Sequence, residues 1–144
     1  MPGDRPFELM LIEDNSADVL LTREVLDDSR IWHRLTVCAD GREAMEKLAQ
    51  PASVVPRPDL ILLDLNMPRM DGREFLTLLR QDPELQILPV VVMTTSRAEE
   101  DVLRSYKLHA NAYITKPMEF GRFVDVIRSI ESLWLNIVEL PTQS

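Results

Sequence analysis

A chain of 144 residues is one domain's worth of polypeptide, enough for a single core and too short for two ordinary ones. Its 16 Lys and Arg against 24 Asp and Glu leave a formal net charge of −8, which disfavours binding to nucleic acid or acidic membranes, and no local basic cluster offsets it. The one cysteine, Cys38, excludes an internal disulfide and suits a reducing compartment; with no apolar run long enough to span a membrane and no signal-peptide core, the expected location is the cytoplasm.

Short apolar runs alternate with longer helical patterns. Leu9 to Ile12 reads as a buried strand. A helix face follows over Asp18 to Asp27, with Ser16 or Asp18 as its cap. Leu35 to Cys38 reads as a second, weaker strand, ended by Asp40-Gly41, and a helix is expected over Arg42 to Ala49. The proline-rich stretch Pro51 to Pro58 is a loop, and Leu60 to Leu63 a third strand. A second loop runs from Met67 to Gly72, with Gly72 serving the turn. A helix over Arg73 to Arg80 comes next, then a β-branched strand from Pro89 to Met93. A helix from Ala98 to Leu108, a strand from Ala112 to Ile114 and a last helix from Glu119 to about Trp134 complete the pattern. Five strands alternating with five helices predict βαβ units around a parallel sheet covered on both faces.

In an open parallel sheet, ligands sit outside the carboxyl ends of the strands. Glu13 and Asp14 follow the first strand, Asp64 the third, Thr94 the fourth and Lys116 the fifth. These groups are expected to converge at one end of the sheet. Three carboxylates in one place repel one another, and a hard divalent cation relieves that repulsion. A carboxylate is also a nucleophile toward phosphorus, giving an aspartyl phosphate. A cation and a lysine ammonium then offset charge on the phosphoryl oxygens, and a threonine hydroxyl can bond one of them. Each residue alone has a plainer reading: a solvated turn for the acidic pair or Asp64, a structural Thr94, a surface Lys116. Five groups of the right types at four strand ends are hard to explain by chance.

The segments Leu11-Ile-Glu-Asp14, Leu60-Ile-Leu-Leu-Asp64-Leu-Asn-Met-Pro68, Met70-Asp-Gly72, Pro89-Val-Val-Val-Met-Thr94 and Ile114-Thr-Lys116-Pro117 resemble the signature segments of response-regulator receiver domains, from about Phe7 to Leu135. The resemblance implies a flavodoxin-like (CheY-like), doubly wound α/β fold with a five-stranded parallel sheet in the order 2-1-3-4-5. It further implies that Asp64 is the phosphoacceptor, that Glu13 and Asp14 are the acidic metal-binding pair, and that the backbone carbonyl of Asn66 is a further ligand of Mg²⁺ or Mn²⁺. Lys116 would contact the phosphoryl group. Thr94 and Tyr113 would form the switch pair, with Tyr113 moving inward on activation. Such a protein is a phosphoacceptor that promotes its own phosphotransfer and dephosphorylation, not a conventional enzyme. Its partners would be a sensor histidine kinase and an unidentified downstream protein. Three stretches, Pro89 to Ser96, Ser105 to Leu108 and Ile130 to Leu135, are similar to the small regulators of phytochrome histidine kinases. Glu13 stands where many receivers have aspartate, a common exchange.

On this reading, residues 1–6 are a flexible N-terminus, 7–136 the receiver domain and 137–144 a tail. Phe120, Val124, Ile127 and Trp134 form one stripe of the last helix, suited to the sheet. Phe123, Val126, Ile130, Leu133, Ile137 and Leu140 form a second, spaced alternately by three and four, which predicts a homodimer seam. Cys38 is expected in the core, and His33 and His109 carry no catalytic role.

Three other functions use similar parts. A haloacid-dehalogenase-type phosphohydrolase also uses an aspartate after a strand, but it places an aspartate as general acid two residues on, where this chain has Asn66, and its acidic pair comes last. A nucleotide or flavin binder needs a Gly-rich phosphate loop, which Gly3, Gly41, Gly72 and Gly121 do not form. A degenerate, interaction-only receiver is at odds with the complete set of site residues.

Overall fold

The computed structural model describes residues 5–64, 72–94, 110–116, 122 and 124–132, with only the backbone of Thr94 and Thr115. The strands are β1 (Phe7–Ile12), β2 (His33–Cys38), β3 (Leu60–Asp64), β4 (Val90–Thr94) and β5 (Ala112–Thr115). They form one parallel sheet in the order β2-β1-β3-β4-β5. Helices α1 (Ser16–Ser29), α2 (Gly41–Leu48) and α3 (Gly72–Gln81) lie between them, and residues 124–132 form a further helix, α4. The helix expected from Ala98 to Leu108 lies outside the described residues.

Alternation along the strands builds two cores. Met10, Ile12, Ile61, Leu63, Val90 and Val92 turn to one face, where they meet Ala44 and Leu48 of α2 and Phe75, Leu76 and Leu79 of α3. Leu9, Leu11, Leu60, Leu62, Val91 and Met93 turn to the other, against Leu26 of α1 and Ile127 of α4. Burial of each large apolar side chain contributes roughly 2 kcal/mol. Because both faces are covered, the central strands are buried throughout: all six residues of β1, Glu8 among them, and all five of β3, Asp64 among them. β2, at the sheet edge, is only partly buried, which is why it reads weakly in the sequence.

Several boundaries differ from expectation. β1 and β2 begin two residues early because Phe7 pairs with His33 and its amide donates to the Trp32 carbonyl at 2.8 Å. α1 begins at Ser16 rather than Asp18 because Asn15 is the cap: its side-chain oxygen accepts from the Asp18 amide at 3.1 Å. α2 is capped by Asp40, which accepts from the Glu43 amide at 2.9 Å, while Glu43 accepts from the Ala39 amide at 2.6 Å. Gly72 is the buried first residue of α3. Arg5, in the segment expected to be flexible, is held by two contacts to Asp59, at 2.8 and 3.1 Å.

Candidate phosphoacceptor and metal site

The strand order places the carboxyl ends of β1, β3, β4 and β5 side by side. β1 delivers Glu13, whose amide donates to the Cys38 carbonyl at 2.9 Å and so keeps the chain beside β2 one residue past the end of β1. Its carboxylate is sheltered from water, 2 % exposed, and accepts from the Asn15 amide at 3.3 Å. Asp14, next along, is exposed. β3 ends on Asp64, 5 % exposed. One carboxylate oxygen from each of Glu13, Asp14 and Asp64 lies within 4.8 Å of the others.

β5 is followed by Lys116, whose side chain is 12 % exposed. Its Nζ donates to Glu13 Oε1 and to Asp18 Oδ2 at 2.9 Å, and stands 3.3 Å from Asp64 Oδ2. A half-buried cation thus faces carboxylates from the residue after β1, from α1 and from the end of β3. Burial, together with a hydrogen bond shared with Asp64, pushes the Glu13 carboxyl up to about 8. Burial also works against charge on Lys116. Its hydrogen bonds to Glu13 and Asp18 and the charge of Asp64 outweigh that, and hold the ammonium above its ordinary value.

The donor set suits a hard divalent cation. It is all oxygen, carries up to three negative charges, and combines two sheltered ligands with one facing water. Glu13's raised pKa points the same way, since two close, buried carboxylates need a proton or a metal between them.

Of the residues singled out in the sequence, Glu13, Asp14, Asp64 and Lys116 are brought together. Thr94 ends β4, where it pairs in register with Thr115; its side chain lies outside the described residues, as does Asn66. Tyr113 is buried, 5 % exposed, in the core that includes Phe75 and Leu63. Val126 and Ile130 are partly buried against the α1-side core and line a groove of about 510 Å³ with Pro89, Asn111 and Arg122. Phe123, Leu133, Ile137 and Leu140 lie outside the described residues. Cys38 is fully buried. His33 has its Nδ1 2.7 Å from the Ile31 carbonyl, a local turn contact. In the sequence Asp18 stands out only as part of a helix start. The signal that could have found its second role is its position on the first turn after the acidic pair, at the same end of the sheet as Lys116.

A family model for the response regulator receiver domain matches residues 9–128. Response regulator Rcp1 of Synechocystis sp. is 47% identical over 138 residues, covering 94% of either chain. Among solved structures, the phosphorylated cyanobacterial phytochrome response regulator RcpA is 43% identical, with a TM-score of 0.72 over 90% of this chain and 94% of that one. The Mn²⁺-bound form of response regulator Rcp1 is 47% identical, with a TM-score of 0.70 over 90% and 95%. These likenesses give the haloacid-dehalogenase reading no support.

Proposed function

The chain belongs to the response regulator receiver domain family, and from that membership we propose that it is a single-domain response regulator accepting a phosphoryl group from a sensor histidine kinase onto Asp64. The observation that carries this reading is the meeting of a sheltered Asp64 carboxylate with the Lys116 ammonium, 3.3 Å away, beside Glu13 and Asp14. An oxygen of Asp64 attacks the phosphorus of a phosphohistidine; the P–O bond forms as the P–N bond breaks, and the imidazole nitrogen leaves with the electron pair. Glu13, Asp14 and Asp64 would hold a divalent cation, with the Asn66 carbonyl as a further ligand. When bound, the cation supplies positive charge against the phosphoryl oxygens. Lys116 offers a second, fixed positive charge, and the sheltered site keeps water from competing for it. The chain therefore promotes its own phosphotransfer and, with water as the later acceptor, its own dephosphorylation.

RcpA is a phytochrome response regulator, and its 43% identity supports a phytochrome-type histidine kinase as partner. The Rcp1 match over 94% of both chains supports the single-domain reading, with residues 7–136 as the receiver and 137–144 as a tail. Thr94 and Tyr113 are the proposed switch pair: a hydroxyl drawn to the phosphoryl group vacates space that the Tyr113 ring takes. The second apolar stripe of the last helix is the proposed homodimer contact, and the signal passes on by protein contact or phosphorelay in the cytoplasm. Among the described residues, no helix is long and apolar enough to cross a membrane. The test is transfer from a phosphorylated histidine kinase to wild type, to Asp64→Asn and to wild type in EDTA. Labelling of the wild type alone is expected; equal labelling of Asp64→Asn refutes the assignment.

A further inference from the structure

An ammonium has three N–H donors and nothing more to give. Around Lys116 Nζ stand Glu13 Oε1, Asp18 Oδ2 at 2.9 Å and Asp64 Oδ2 at 3.3 Å. Hydrogen bonds to Glu13 and Asp18 take up two of the donors and the charge of Asp64 draws on the ammonium as well, while a phosphoryl group on Asp64 would add acceptor oxygens that need donors. Glu13 and Asp64 belong to the carboxylate group suited to a cation; Asp18 does not. Asp18 comes from α1, and its side chain is 25 % exposed, against 0 % for Glu13 and 7 % for Asp64. Released from Lys116, it is the one of the three that water can most readily solvate. Its backbone stays in place, because the Asp18 amide donates to the Asn15 cap and its carbonyl accepts from Thr22 Oγ1 at 2.8 Å.

We propose that Asp18 is a positioning residue that holds Lys116 away from full engagement with the phosphoryl group and competes with that group for the ammonium. One carboxylate on α1 then weakens the hold on the phosphorylated state. The idea rests on Asp64 being the phosphoacceptor.

The test uses Asp18→Asn, which keeps the shape and removes the charge, alongside Asp18→Glu, Lys116→Met and the Asp18→Asn/Lys116→Met double variant. Affinity for beryllofluoride in Mg²⁺ is measured for each. Removing a partly exposed ion pair predicts tightening by about fivefold in Asp18→Asn, near wild-type affinity in Asp18→Glu, and no effect of Asp18→Asn once Lys116 is gone. A second readout needs no phosphoryl mimic: in cation-free buffer the Lys116 ammonium should give a slowly exchanging NMR signal that is lost in Asp18→Asn and kept in Asp18→Glu. Unchanged or weaker beryllofluoride affinity in Asp18→Asn overturns the proposal. So does equal tightening in the Lys116→Met background, which would make Asp18 a source of general charge. A wild type that binds no beryllofluoride while its ammonium signal still responds to Asp18→Asn overturns the phosphoacceptor reading and the competition with it.

Discussion

Lys116 Nζ stands 3.3 Å from Asp64 Oδ2, joining the residue that follows the edge strand β5 to the last residue of the central strand β3. Fifty-two positions separate them in sequence (116 − 64), and only the parallel sheet, with every crossover returning to the same end, brings them together. The contact makes the site electrically interdependent: changing one carboxylate changes what the ammonium holds.

The first consequence is a pH dependence of stability in cation-free buffer. Folding raises the Glu13 carboxyl from its ordinary value to about 8, so between those values the folded state holds a proton that the unfolded state has lost. Glu13's contribution to stability is then full below the ordinary glutamate range and fades as pH rises toward about 8. Urea unfolding in EDTA across that window should give a falling contribution in wild type that is absent in Glu13→Gln. Millimolar Mg²⁺ should remove the difference in slope. Parallel profiles for the two proteins in EDTA would contradict this.

Cys38 should be inert in the folded protein. It is fully buried, and burial pushes its thiol up to about 11. Iodoacetamide near neutral pH should alkylate the native chain at least about a hundredfold more slowly than the urea-unfolded one, because the thiolate is the reactive form. Equal rates would place Cys38 at the surface. Cys38's contribution to stability is present below the ordinary thiol range and lost as pH climbs through about 11.

Arg30 closes α1 in the left-handed region, with φ 60° and ψ 22°. A side chain with a Cβ pays a steric penalty there that glycine does not, so Arg30→Gly should raise stability by up to about 1 kcal/mol, measured by urea unfolding. A loss of more than that amount would mean the Arg30 side chain makes a stabilising contact of its own.

The proposed dimer has a direct check by analytical ultracentrifugation. Wild type should sediment as a dimer at tens of micromolar, and Leu133→Asp/Ile137→Asp as a folded monomer. A monomeric wild type, with and without beryllofluoride, ends that proposal.

Much of this was legible in the sequence because strands buried on both faces are unbroken apolar runs, and the residue after each run is then a site position. Leu60 to Leu63 and Val90 to Met93 read directly for that reason, and with them Asp64 and Thr94. The edges were less visible. Phe7-Glu8 and His33-Arg34 place charged residues in the first positions of β1 and β2, where Arg34 Nε forms an ion pair with Glu8 Oε1 at 3.1 Å, so apolar periodicity stops short of the true ends. Asp18 was hidden by a competing role. An acidic residue at a helix start is so often a cap that its reach toward Lys116, 98 positions away, needs the tertiary structure to be seen.

Every role proposed for this site depends on Asp64 carrying the phosphoryl group. An acyl phosphate on an aspartate is reduced by borohydride to homoserine, which marks the residue permanently. Wild-type protein phosphorylated in Mg²⁺, reduced and mapped by peptide mass spectrometry should show homoserine at position 64 and none in the EDTA control. Homoserine at Asp14 or Asp18 with Asp64 unaltered, or none anywhere despite incorporated phosphate, would mean that Asp64 is not the phosphoacceptor.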